Sequence, residues 1–132
     1  MSAWLAAIRP RTLTITVAPV AVGAAIALHD RGTLADGPLA ATLAGGLLIQ
    51  IGTNLHNDAA DFERGVDTPD RPGPKRAVAE GWLTSSQVRG AALLSLLLAF
   101  ACGVYLAWVG GWPIVLLGLA SLAAAWGYTG GP

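Results

Sequence analysis

Apolar residues fill four stretches of this chain, at roughly 12–28, 37–57, 88–109 and 112–128, and polar residues collect almost entirely between the second and the third. Each stretch is near the ~17 to 25 residues that a helix needs to span a bilayer, the first and last being short. Strands of a membrane barrel would be shorter and would alternate, so the pattern predicts an all-α, polytopic transmembrane helix bundle. Small residues such as Ala40-Ala41 and Gly45-Gly46 suit close helix packing in lipid. The intervening segment, 62–86, contains Gly65, Pro69, Pro72, Gly73, Pro74 and Gly81 and is expected to be an irregular loop. Thr84-Ser85-Ser86-Gln87 would cap the helix that follows it.

Composition agrees with a membrane protein: 54% of the 132 residues are hydrophobic and only 12% charged. The formal net charge of zero argues against a nucleic-acid partner. Seven of the eight Lys and Arg residues lie in the N-terminal segment or between positions 58 and 89, which by the positive-inside rule places the N-terminus and the long loop in the cytoplasm. Arg9 and Arg11 before an apolar run could mimic a signal peptide, but Pro19 and the runs that follow fit a retained helix better. Trp4, Trp82, Trp108 and Trp112 fall near helix ends and read as interfacial anchors. The single cysteine, Cys102, excludes an intrachain disulfide and reads as a small packed hydrophobe.

The candidate chemistry sits where the second apolar stretch meets the loop. At about 100° per residue, Asn54, Asn57, Asp58 and Asp61 occupy a roughly 100° arc of one helix face. Two carboxylates three residues apart repel each other unless neutralised, and a divalent cation would remove that penalty. Magnesium, which takes one or two carboxylates plus phosphate oxygens and water, matches this sparse set. Basic residues follow closely in Asp67-Thr-Pro-Asp-Arg71-Pro-Gly-Pro-Lys75-Arg76. Metal on one side and guanidinium on the other would clamp a pyrophosphate. Arg9, in Arg9-Pro10-Arg11-Thr12-Leu13, is either an anchor or a further substrate contact, and His56, on the far side of the helix from Asp61, reads as packed.

Asn57-Asp58-Ala-Ala-Asp61, with Asn54 before it and Gly65-Val-Asp67-Thr-Pro-Asp-Arg71-Pro-Gly73-Pro74-Lys-Arg76 after it, resembles the first aspartate-rich motif of the UbiA-type intramembrane prenyltransferases. The resemblance is strongest to the branch acting on 1,4-dihydroxy-2-naphthoate in menaquinone synthesis. Arg9-Pro10-Arg11-Thr12-Leu13 and Tyr128-Thr-Gly-Gly-Pro132 are weaker matches. One departure is Gly65, where the superfamily often has a third aspartate; Asp67 comes two residues later.

The resemblance implies a single domain of about nine helices, of which residues 1–132 would be the N-terminal part. It implies Mg2+ held by Asp58 and Asp61 with Asn54 and Asn57 assisting, Asp67 joining, and Arg71, Lys75, Arg76 and Arg9 binding the substrate. That substrate would be a polyprenyl diphosphate, whose allylic cation an aromatic dihydroxynaphthoate attacks with loss of carbon dioxide. The alternatives are a UbiA-type enzyme with another aromatic acceptor, or a transport protein whose intramembrane carboxylates line a cation pathway. A transport pathway would need polar groups through the bilayer, and the last two apolar stretches supply almost none.

Overall fold

The computed structural model describes residues 2–67 and 74–130 and is all-helical apart from its turns. The helices are α1 (Ala3–Ile8), α2 (Thr14–Arg31), α3 (Asp36–Glu63), α4 (Ser85–Gly110) and α5 (Trp112–Gly130), with a 3-10 turn at Pro10–Thr12. Helix α1, absent from the apolar pattern, is capped by the Ser2 side chain, which accepts a hydrogen bond from the Leu5 N–H. It stops at Ile8, in keeping with the right-handed helix being disfavoured for Arg9, the residue before Pro10. Arg9 turns into the left-handed region instead, at φ 56°. The chain bends by 41° between Ala3–Thr12 and Thr14–Arg31.

Helix α3 runs six residues past the expected end at 57, through helix-favouring Ala59 and Ala60, and is ended by the left-handed Gly65 at φ 68°. Asp58 and Asp61 therefore lie on a continuous helix and not beyond its end. Helix α4 starts three residues early, where Thr84 and Gln87 form a reciprocal capping box.

Helices α3 and α4 are each long and apolar enough to cross a membrane, and the bent pair ending in α2 adds a third span if it is counted as one. The apolar part of α5, Trp112–Tyr128, is shorter, reaching about 25 Å against a hydrocarbon core of about 30 Å. All four apolar stretches are thus helical, and among the described residues two or three of them reach full spanning length.

Packing is tightest between α3 and α4. A Cβ on Gly52 would lie 2.9 Å from Leu96 Cγ and Cδ2 and 3.3 Å from the Ala92 carbonyl oxygen, so only glycine admits this approach. The buried core lies at the loop end of the helices: Ala7 from α1, Leu55 and Ala59 from α3, Ala77 and Val78 from the loop, and Val88 and Ala92 from α4. Elsewhere many large apolar side chains face outward, as Leu97, Trp108 and Leu117 do, and α2 buries none of its residues. Such surfaces suit lipid or further helices.

Gly52→Val is expected to destabilise the helix pair by about 1–3 kcal/mol through overpacking. Gly23→Val, where nothing lies within 4 Å of the added Cβ, is the control. SDS-driven unfolding in mixed micelles should show a lowered midpoint for the first and a much smaller change for the second.

Candidate functional site

The last turns of α3 carry Asp58, Asp61 and Glu63, with no basic residue on the same turn to balance them. Carboxylates there oppose the helix dipole, so each needs a partner from elsewhere. The structure provides three different ones. Asp58, 1% exposed, accepts a hydrogen bond through Oδ2 from the Ala77 backbone N–H at 3.1 Å. Asp61 Oδ2 accepts from Arg76 Nη2 at 2.7 Å. Glu63 pairs with Arg89 and accepts from the Ser85 hydroxyl, joining the end of α3 to the start of α4.

The loop after the undescribed residues 68–73 folds into tight turns. Glu80 N–H donates to the Arg76 carbonyl, Gly81 N–H to the Val78 carbonyl and Trp82 N–H to the Ala77 carbonyl, while Gly81 takes φ 72°. Asp58 pins this loop at Ala77, and Arg76, one residue earlier, is thereby directed at Asp61. Arg76 is 8% exposed and also approaches Asp67, with Nε 3.5 Å from Oδ2. Its Nη1 is buried without a hydrogen-bond partner. Lys75 points outward, 3.1 Å from Glu80 and 6.0 Å from the centre of the Trp82 ring.

Asn54 closes the other flank. Its Nδ2 donates to the Ile8 carbonyl and to Thr12 Oγ1, both at 2.8 Å, so that α3 holds the break between α1 and α2. That break carries Arg9. A cavity of about 840 Å³ opens between these elements and α5, lined by Arg9, Asn57, Asp61 and Arg76 and by Gln50, Thr53, Asn54, Ser121 and Tyr128. Asn57 is one of its walls, and its Oδ1 is buried without a hydrogen-bond partner.

The expected ligand face is therefore divided. Asp61 and Asn57 look into the cavity, Asp58 looks into the loop, and the Asn54 amide is engaged with the α1–α2 break. Among the described residues, no three His, Cys, Asp or Glu side chains converge closely enough to hold a metal. Arg76 and Arg9 reach the cavity, Lys75 does not line it, and Arg71 lies outside the described residues. His56 is packed, as expected, and its ring stacks on Trp126 with centroids 4.2 Å apart. Gln50 and Thr53 escape a search for charge, yet the spacing Gln50, Thr53, Asn54, Asn57, Asp61 is one helix stripe that the sequence already displays.

The model of the UbiA prenyltransferase family matches residues 16–131, which include α3, the loop and α5 but not Arg9. The chain belongs to the UbiA prenyltransferase family. It is also similar to proteins named 1,4-dihydroxy-2-naphthoate octaprenyltransferase. That of Bacillus subtilis (strain 168) is 37% identical, over 94% of this chain and 40% of the relative. That of Escherichia coli (strain K12) is 36% identical over 98% and 44%, and that of Mycobacterium tuberculosis (strain ATCC 25618 / H37Rv) 38% over 97% and 43%. The chain thus spans about two fifths of the length of these relatives. No solved structure matches it significantly. For a UbiA-family chain, the aspartate-bearing helix and the basic loop facing it are the features that need a physical account.

If Asp58 anchors the loop, Asp58→Ala should speed hydrogen exchange at the Ala77 amide about tenfold, the loss of roughly one buried hydrogen bond. Exchange measured by mass spectrometry on peptides covering 74–84 should show the effect, and Asp61→Ala should leave the Ala77 amide itself protected.

Proposed function

We propose that this protein transfers a polyprenyl group from its diphosphate to 1,4-dihydroxy-2-naphthoate, in the membrane step that commits the ring to menaquinone. The observation that carries the reading is one cavity lined both by Asp61 and Asn57 and by two arginines, Arg76 and Arg9. That pairing suits a diphosphate accompanied by a cation. Relatives named for this activity share 36–38% of their aligned residues with the chain, which supports the choice of acceptor.

A divalent cation fits the donor set. Asn57 Oδ1 is a buried acceptor lacking a partner, and the Asp61 carboxylate lines the same cavity. Asp61 and Asn57 would hold Mg2+, with phosphate oxygens and water completing its shell. When bound, the ion supplies Lewis-acid neutralisation of the departing pyrophosphate. Asp67 takes part through its approach to Arg76.

Arg76 and Arg9 orient the diphosphate and stabilise the charge that grows on it as the allylic C–O bond breaks and its electron pair leaves with pyrophosphate. Lys75 adds positive charge at the rim of the loop, and Arg71 adds a further positive charge to the same segment of sequence. A ring carbon of the naphthoate then attacks the allylic carbon. Loss of the carboxylate as carbon dioxide returns the bonding pair to the ring. Asp58 and Asn54 serve by holding Arg76 and Arg9 in place.

The isoprenoid tail has a path as well. A second cavity of about 360 Å³ lies between α3, α4 and α5, and it shares Ile49 and Ser121 with the polar one. Apart from Thr42 and Ser121 its side chains are apolar. An apolar channel of this kind suits a hydrocarbon chain and not the polar conduit that cation transport requires. The basic residues on the N-terminal segment and the loop support a site at the cytoplasmic mouth.

Transfer of a labelled prenyl diphosphate to dihydroxynaphthoate, assayed in membranes holding the protein, should depend on added Mg2+. Asp61→Asn should lower it on the order of 100-fold or more, as loss of a charged metal and diphosphate partner does. Transfer unaffected by Asp61→Asn, in protein shown to be folded, would exclude the assignment.

A further inference from the structure

Arg76 holds a position that the reaction should require it to leave. Its Nη2 lies 2.7 Å from Asp61 Oδ2, on a carboxylate that faces the cavity, and its Nε lies 3.5 Å from Asp67. Both side chains of the Arg76–Asp61 pair are largely buried, at 8% and 16% exposure. A guanidinium and a divalent cation cannot both occupy the same face of one carboxylate at full strength, because their charges repel. Meanwhile Arg76 Nη1 is buried, bonded to nothing, and belongs to a side chain lining the cavity. Turning the guanidinium off Asp61 would present this donor to an anion in the cavity.

We propose that Arg76 is a counter-ion lock: its guanidinium neutralises Asp61 until a diphosphate releases the carboxylate by drawing the guanidinium onto its own oxygens. The exchange is balanced in charge. The Arg76–Asp61 ion pair is replaced by an Arg76–phosphate pair and a metal–Asp61 contact, so Asp61 keeps a cationic partner throughout. Its consequence is coupled binding, in which metal alone binds weakly and diphosphate and metal favour each other. The scaffold suits a guanidinium that moves while its backbone stays fixed, since Ala77 N–H is held by Asp58 and the Arg76 carbonyl by Glu80 N–H. The inference rests on the proposal that this cavity receives a diphosphate with a divalent ion.

The test is Mn2+ binding to the full protein in lipid nanodiscs, followed by electron paramagnetic resonance with metal alone and then with inorganic pyrophosphate at matched free Mn2+. If the lock is closed about nine-tenths of the time, Arg76→Gln should bind Mn2+ about tenfold more tightly than wild type without pyrophosphate. Arg76→Lys, which keeps the charge but loses the forked reach, should fall between the two and guards against misfolding of the glutamine variant. Lys75→Gln removes the same charge one residue away and should change affinity far less, and Asp61→Asn combined with Arg76→Gln should abolish the gain. Pyrophosphate should tighten Mn2+ binding in wild type and much less in Arg76→Gln. Equal Mn2+ affinity in wild type and Arg76→Gln, or an equal gain in Lys75→Gln, would overturn the lock while leaving the diphosphate site standing. Absence of Mn2+ binding in every variant, with pyrophosphate present, would overturn both.

Discussion

Everything at the loop end of this protein depends on placing one buried guanidinium between carboxylates at the end of an apolar helix. Arg76 is nine-tenths buried, and a charge so placed is tolerated only when it is paired and held. Deleting one partner of such a pair costs about 3–5 kcal/mol, so the pairing with Asp61 is as much a structural demand as a functional one. Asp58 meets that demand indirectly, since its hydrogen bond to Ala77 N–H fixes the backbone from which Arg76 projects. The small residues Ala59, Ala77 and Ala92, all fully buried, let the loop settle closely enough against α3 and α4 for this bond to form. Asn54 repeats the device on the opposite flank, where a side-chain amide holds the α1–α2 break and with it Arg9.

Carboxylates at a helix C-terminus next to a membrane span are costly unless something uses them. Glu63 is accounted for structurally by Arg89 and Ser85, which tie α3 to α4. Asp61 is different because its partner comes from a loop, lies beside a cavity and keeps one donor unpaired. That asymmetry distinguishes a helix staple from a site, and it is what membership of the UbiA prenyltransferase family leads one to look for at this position.

Much of this was legible in the sequence, and the remainder was hidden for physical reasons. The apolar runs fix the helices because lipid leaves the backbone no other way to satisfy its hydrogen bonds, and helical spacing puts Asn54, Asn57, Asp58 and Asp61 on one face. Spacing cannot say how that face is shared. Asp58 lies at one edge of the arc, against the loop, and Asn57 at the other, with Asp61 and Asn54 between them, yet Asp61 lines the cavity while the Asn54 amide is taken up by the α1–α2 break. The difference between Lys75 and Arg76 was equally hidden: they are neighbours with the same charge, and only the turn at Ala77–Glu80 sends one outward and the other in. The break at Arg9 could have been read from the proline that follows it. The α5 contribution, Ser121 and Tyr128, depends on tertiary packing that no local pattern encodes.

The most direct measurement is an electron cryomicroscopy structure of the protein in nanodiscs with a non-hydrolysable prenyl thiodiphosphate and Mg2+. The account predicts the diphosphate in the cavity between α3 and the loop, within hydrogen-bond reach of Arg76 and Arg9, with Asp61 turned to the metal and the Asp58–Ala77 bond intact. Diphosphate bound elsewhere, with the Arg76–Asp61 pair undisturbed, would contradict it.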